Sequence, residues 1–310
     1  MNKLWKFFFL YLIPIFIFLA LLFPDTKPFF ERIGERWLYI FSLAFLLSYF
    51  STPAARSLAL EMGIVDKPDE RKIHKIPTPR LGGLAVYVAF TLAVIYNFHF
   101  SDELKGVAIG ATLVMLAGLA DDIMGLSAKI KLLIQLTAVS IMMYYGVILS
   151  FMPHTFWGDI FEVLLTYIWV IGITNALNFL DGMDGLAAGI TAIASFYIGI
   201  VAIQTGQDYV MFISMALLGS SLGFLPYNFR YRKPASIFLG DAGSTFMGFM
   251  LSSLTVMTGW ATNDPVRAYS MPALILSVLI FDMSYITIAR VVKGKVKTLK
   301  EWIDFVGKDH

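Results

Sequence analysis

The chain has no cysteine among its 310 residues and only four histidines. Disulfides, thiol chemistry and a cysteine-based metal site are therefore excluded, although the compartment is not fixed by this. Charge is also scarce. Asp, Glu, Lys and Arg make up 15% of the residues, against about a quarter in a soluble domain. The alternating strands of an outer-membrane barrel are missing. So are internal repeats and low-complexity linkers, and residues 1–310 read as a single domain. The net charge of +2 says little about partners, and nothing points to nucleic acid.

What is present is apolar and long. Hydrophobic residues make up 58% of the chain and the mean hydropathy is +0.72. They come in blocks, which predicts an all-α, polytopic membrane protein. About ten apolar spans of roughly 20 residues are expected. They lie near 4–23, 37–60, 81–98, 105–120, 130–149, 161–177, 186–204, 209–225, 244–260 and 269–292. The first carries Lys3 and Lys6 like a signal peptide, but its apolar part is long and has no small-x-small site. It reads as a retained span. With both termini inside, most of the 24 Lys and Arg residues fall on inner segments, which predicts cytoplasmic termini and a cytoplasmic-face site. The tail 293–310 places Leu299, Trp302, Ile303 and Val306 at helical spacing among lysines, as an interfacial helix would.

Four inner connections carry chemistry. In GIVDKPDERKIHKIPTPRLGG (63–83), Lys75, Thr78 and Arg80 could face phosphates. Gly82 and Gly83 could let backbone N–H groups approach an anion. The competing reading is a basic loop that only sets topology; His74 reads as a surface residue. In GLADDIMGLSAKIKLL (118–133), Asp121 and Asp122 end a span. Adjacent acids repel, and a helix C-terminus disfavours negative charge. Local structure offers no reason for the pair, whereas a divalent cation or a transferred proton does. Lys129 and Lys131 follow, suited to a phosphate.

In NALNFLDGMDGL (175–186), Asn175, Asn178, Asp181 and Asp184 recur every third residue, along one drifting helix face. Gly182 and Gly185 should break the helix there, so that polar groups line a cavity at the membrane edge. A plain turn would explain the glycines but not the acids. In PYNFRYRKPASIFLGDAGSTF (226–246), Asp241 precedes the next span, and Gly240, Gly243 and Ser244 could form a nest. Ordinary helix capping competes for Asp241 and Ser244. Phe238 by itself reads as a core residue. Together the loops bring carboxylates and basic clusters to one membrane face. Carboxylates without cysteine select a hard cation, Mg²⁺ or Mn²⁺ rather than Zn²⁺. Such an ion beside basic residues is the apparatus of phosphoryl transfer, and a site at the lipid edge suggests a lipid phosphate as one substrate.

The ordered set DKPDERKIHKIPTPRLGG, GLADDIMG, NALNFLDGMDGLAAG and PYNFRYRKPASIFLGDAGS resembles the polyprenyl-phosphate N-acetylhexosamine-1-phosphate transferases. The likeness runs from about residue 50 onwards and is closest to the undecaprenyl-phosphate N-acetylglucosamine-1-phosphate transferase branch. It implies a bacterial plasma-membrane enzyme. A polyprenyl phosphate attacks the β-phosphorus of a UDP-N-acetylhexosamine, UMP leaves, and a polyprenyl-diphospho-sugar remains. By the same resemblance, Asp121 and Asp122 are the paired catalytic acids, one of them near the metal. Asp241 is the Mg²⁺ ligand. Asn175, Asn178, Asp181 and Asn228 shape the substrate site, Asp184 contacts the uracil and Phe238 stacks on it. Lys75, Arg80, Lys129 and Lys131 contact phosphates. A homodimer is expected by family analogy alone. One departure is the family's His-x-His-His motif, of which GKDH could supply only His310.

Direct attack is favoured over an aspartyl intermediate, because loose phosphoryl transition states need little covalent help. The alternatives are a phospho-N-acetylmuramoyl-pentapeptide transferase and a membrane transporter. A transporter would place its ionisable residues near the bilayer midplane; here nearly all acids sit at inner loop edges and only Asp282 lies mid-span.

Overall fold

The computed structural model describes residues 11–66, 76–97, 101–152, 155–260 and 265–292, apart from the side chains of 265–269 and 290–292. Lys75, His74, His310 and the tail 293–310 lie outside the described residues. The chain is all-α apart from one small hairpin. In chain order the helices are α1 (Ile13–Leu21), α2 (Thr26–Arg32), α3 (Arg36–Glu61), α4 (Gly82–Asn97), α5 (Asp102–Met124) and α6 (Ala128–Tyr144). They continue as α7 (Phe156–Leu180), α8 (Leu186–Gln204), α9 (Asp208–Asn228), α10 (Gly240–Met257), α11 (Pro265–Ile275) and α12 (Ser277–Val292).

Among the described residues, each expected span overlaps a helix. By length and composition, five of the described helices could cross a membrane, or six if the pair α1 and α2, bent by 76°, counts as one. The segment expected at 269–292 is divided between α11 and α12, with Pro272 inside α11. The helix ends follow local rules. The Ser101 hydroxyl accepts the Leu104 N–H and opens α5, with Asp102 and Glu103 in the first turn. Gly125, at φ 71°, ends it.

The sequence reading missed the hairpin. Strand β1 (Val65–Asp66) pairs antiparallel with β2 (Thr78–Pro79), Val65 opposite Pro79 and Asp66 opposite Thr78. Two-residue strands carry no periodicity from which to infer them.

Helix α10 is the hub. It is buried almost throughout and packs against α4, α5, α7 and α8. Its neighbours meet it through glycine. A Cβ on Gly83 would lie 2.1 Å from the Gly243 nitrogen, and one on Gly118 would lie 2.4 Å from the Asp241 carbonyl oxygen. Small residues let helices approach closely where lipid supplies no hydrophobic drive between them. The hydroxyls of α10 are satisfied internally: Ser244, Thr245 and Ser252 donate to the carbonyls of Gly240, Asp241 and Gly248. The rings of Tyr87 and Phe90 meet Phe246 edge-on, at 5.2 and 5.4 Å between centroids. This packing sets the N-terminus of α10 against the C-terminal ends of α5 and α7, where the acidic residues lie.

Candidate active site

The site begins at the end of α5. Asp122 accepts the backbone N–H groups of Asp241 (3.1 Å) and Ala242 (3.0 Å). Its carboxylate therefore caps α10, a helix on which negative charge at the N-terminus is favourable. Asp121, one residue earlier, accepts the Leu126 N–H through Oδ1. Its Oδ2 accepts from Lys131 Nζ at 2.9 Å, and the same ammonium donates to Asp241 Oδ2 at 3.2 Å. One lysine on α6 thus ties the end of α5 to the first turn of α10, with all three side chains mostly buried.

Asp181 caps the C-terminus of α7 and faces the same group. Burial pushes its carboxyl well above the ordinary value of 3.8, and the charges of Asp241 and Asp122 push the same way; a Gly240 backbone hydrogen bond and the Arg80 charge oppose this. Asn178 donates to Ser244 Oγ at 2.8 Å. Asn175 forms a reciprocal amide pair with Gln135, at 2.9 and 3.2 Å. Gln135 is a buried partner that the sequence reading did not single out. It lies one turn after Lys131 on α6, a signal available only once Lys131 is placed in the site.

Beneath this group a cavity of about 600 Å³ opens between α6, α7 and α12. Lys131, Gln135, Asn175 and Asn178 form its polar head, and Tyr167, Ile168, Ile171 and Met283 line its apolar length. Asp282, on α12, is not among the lining residues.

Several of the residues expected to meet substrate also have partners within the protein. The N–H groups of Gly82 and Gly83 donate to the carbonyls of Phe238 and Leu239, so they are not free for an anion. The nest at Gly240 is filled by the protein's own anion, Asp122. Arg80 pairs with Asp66 at 3.1 Å, although its charge still reaches Asp181. Thr78 Oγ1 donates to the Ile76 carbonyl. Asn228 is buried, accepting the Gly185 N–H and donating to the Ile237 carbonyl. Asp184 accepts the Ala235 N–H at 2.8 Å. Asn228 and Asp184 thus join the 181–185 turn to the 229–239 connection. Phe238 uses its backbone to reach the Pro79 carbonyl. Lys129 is exposed, outside the cavity lining.

Among the described residues no three Asp, Glu or His side chains form a ready-made cation cage. The donor set still fits Mg²⁺ or Mn²⁺. It consists of oxygen alone, and Mg²⁺ is usually held by one or two carboxylates plus substrate phosphates. Asp241 and Asp181 are the residues that would hold it.

The described helices thus bring three acids, one shared lysine and an apolar cavity together at one end of the bundle. The comparisons give the family. Residues 104–259 match Glycosyl transferase family 4, and the chain belongs to that family. It is 35% identical to the probable undecaprenyl-phosphate N-acetylglucosaminyl 1-phosphate transferase of Bacillus subtilis, over 80% of this chain and 71% of the relative. It is 37% identical to the decaprenyl-phosphate N-acetylglucosaminephosphotransferase of Mycolicibacterium smegmatis, over 68% of this chain and 57% of the relative. The phospho-N-acetylmuramoyl-pentapeptide-transferase of Streptococcus pneumoniae is 32% identical, over 69% of this chain and 71% of the relative.

Proposed function

We propose that this chain transfers N-acetylglucosamine 1-phosphate from UDP-N-acetylglucosamine to a polyprenyl phosphate, releasing UMP and leaving a polyprenyl-diphospho-sugar in a bacterial plasma membrane. The observation that carries this reading is the Lys131 ammonium shared by Asp121 and Asp241 at the head of an apolar cavity. A lipid phosphate needs a cation where its tail meets its head, and the apolar walls along Ile168 and Ile171 suit a polyprenyl chain. The names of the Bacillus and Mycolicibacterium relatives support the sugar; the Streptococcus relative keeps the pentapeptide transferase as the second reading.

In this reading an oxygen of the lipid phosphate forms the new bond to the β-phosphorus, and the bond to the bridging oxygen of UMP breaks. Lys131 holds the phosphates in reach and offsets their charge. Asp121, not Asp122, is assigned to the lipid phosphate, because it shares Lys131 at the head of the cavity, whereas Asp122 is turned to the N–H groups of α10. Asp122 instead positions α10 and with it Asp241. A bound Mg²⁺ would neutralise the diphosphate of the donor. Asp241 and Asp181 would hold it, with Asn178 beside them. The long apolar blocks support about ten spans, and the bias of Lys and Arg supports cytoplasmic termini and a cytoplasmic site.

The test is a transfer assay on membranes with polyprenyl phosphate, Mg²⁺ and radiolabelled UDP-N-acetylglucosamine. Label should pass into the organic phase and do so no longer in an Asp241→Asn variant. The absence of lipid-linked label with every UDP-N-acetylhexosamine, from the full-length protein, would refute the reading.

A further inference from the structure

The turn at 229–233, FRYRK, is outside the transfer chemistry and has an unusual surface. Tyr231 is 81% exposed and Phe229 is 63% exposed. Between and beside these rings stand Arg230, Arg232 and Lys233. Among the described residues none of the three pairs with a carboxylate. Asp184, which reaches this connection from the 181–185 turn, accepts the Ala235 N–H. An ordinary solvated face mixes both signs and hides its rings; this one shows aromatic tips and cations alone.

The turn is also built rather than loose. Arg230 and Lys233 form an antiparallel bridge. The Arg230 guanidinium donates from Nε to the Pro234 carbonyl at 2.8 Å. Arg232 holds a left-handed backbone, φ 57°, which is uncommon for a residue with a Cβ. Its guanidinium carbon sits 5.1 Å from the centre of the Tyr231 ring. At its base Phe229 packs onto Gly185, where an added Cβ would come within 2.6 Å of the phenylalanine Cβ. Met183, in the adjoining turn, adds a third exposed apolar tip. The turn starts at the end of α9, at the end of the bundle that holds Asp181 and Asp241.

We propose that this turn docks on the anionic phospholipid headgroups of the leaflet that adjoins the site. Tyr231 and Phe229 suit the headgroup level, where aromatic rings with one wet edge collect. The cations supply the charge complement, each Lys or Arg near an anionic surface favouring contact by about fivefold. Asn228 and Asp184 clamp the turn to the segment carrying Asp181, so the docked turn would also hold that segment at a fixed depth.

The natural absence of cysteine makes the test clean. A Tyr231→Cys variant of the full chain carries one thiol, which takes an environment-sensitive fluorophore. Labelled protein is reconstituted in phosphatidylcholine vesicles with or without about 30 mol% phosphatidylglycerol, containing neither polyprenyl phosphate nor nucleotide. Quenching by brominated lipid should rise at least about twofold with the anionic lipid, and salt near 1 M should remove the increase, since the Debye length then falls to about 3 Å. A label at Gln204→Cys, on an exposed helix end, should not respond. Adding R230Q, R232Q and K233Q to the labelled variant should abolish the response; if that protein does not fold, the salt arm decides. Equal quenching in the two vesicles overturns the proposal. So does a label that ignores lipid charge but shifts on addition of UDP-N-acetylglucosamine, which would assign the turn to the donor. Neither readout depends on transfer activity, so a failure here leaves the transferase reading standing.

Discussion

The Asp122 carboxylate accepts the backbone N–H of Asp241 at 3.1 Å, so an acid at the end of one helix caps the start of another. Its neighbour Asp121 instead shares a lysine with the Asp241 side chain. Two adjacent aspartates therefore have different jobs, and substitution should separate them. Asp122→Ala should lower thermal stability by about 1–3 kcal/mol, since it strands two helix N–H groups, and should lower transfer with it. Asp121→Ala should abolish transfer with a much smaller change in melting. Melting curves in detergent beside the transfer assay would check this; equal melting of both variants would contradict it.

Lys131→Met should cost on the order of 10²-fold in kcat, the scale for removing one preorganised donor from a transition state. Lys131→Arg should retain more of the activity, because the charge remains. Steady-state kinetics with UDP-N-acetylglucosamine varied at saturating lipid give the comparison.

Asp181 predicts a pH effect with a definite sign. Its carboxyl is raised in the folded chain, so above the ordinary value of 3.8 the folded state holds the proton that the unfolded state has released. Stability therefore falls as pH rises from 3.8 towards the raised folded value. In chelator, the melting temperature of the wild type should drop relative to Asp181→Asn as pH rises. Mg²⁺ should restore the wild type more than the variant. Scanning fluorimetry over about pH 5 to 8 measures both; parallel curves for the two proteins would count against the buried carboxyl.

Gly118→Ala should destabilise the protein by about 1–3 kcal/mol or prevent folding, because the new methyl meets the backbone of Asp241 rather than a movable side chain. Gly189→Ala meets nothing within 4 Å and should be neutral or slightly stabilising within its helix. Size-exclusion profiles and melting of the two variants make the contrast.

Ile171→Trp should narrow the apolar part of the cavity. The KM for a long polyprenyl phosphate should rise severalfold while the KM for the UDP-sugar stays close to wild type. A rise in both would place the cavity outside the lipid path.

Much of this was legible beforehand. Long apolar blocks determined the helices and nearly all their positions, because the cost of unsatisfied backbone in lipid leaves little choice but helix. Gly182 and Gly185 marked the break between α7 and α8 for the same local reason. The clustering of Asp121, Asp181, Asp241 and Lys131 at one end followed from where the apolar blocks stop. Sequence alone could not say which carboxylate meets which partner. Asp122 looked wasteful at a helix C-terminus, and only the approach of α10, allowed by Gly83 and Gly118, shows the N-terminus that it caps. The hydrogen bonds of Asn228 and Asp184 to the Gly185 and Ala235 N–H groups could not be read from the sequence either. The hairpin at 65–66 and 78–79 and the pairing of Gln135 with Asn175 were likewise decided by tertiary contact. Helix formation is settled within a few neighbouring residues, whereas each of these pairings depends on the distance between segments far apart in the chain.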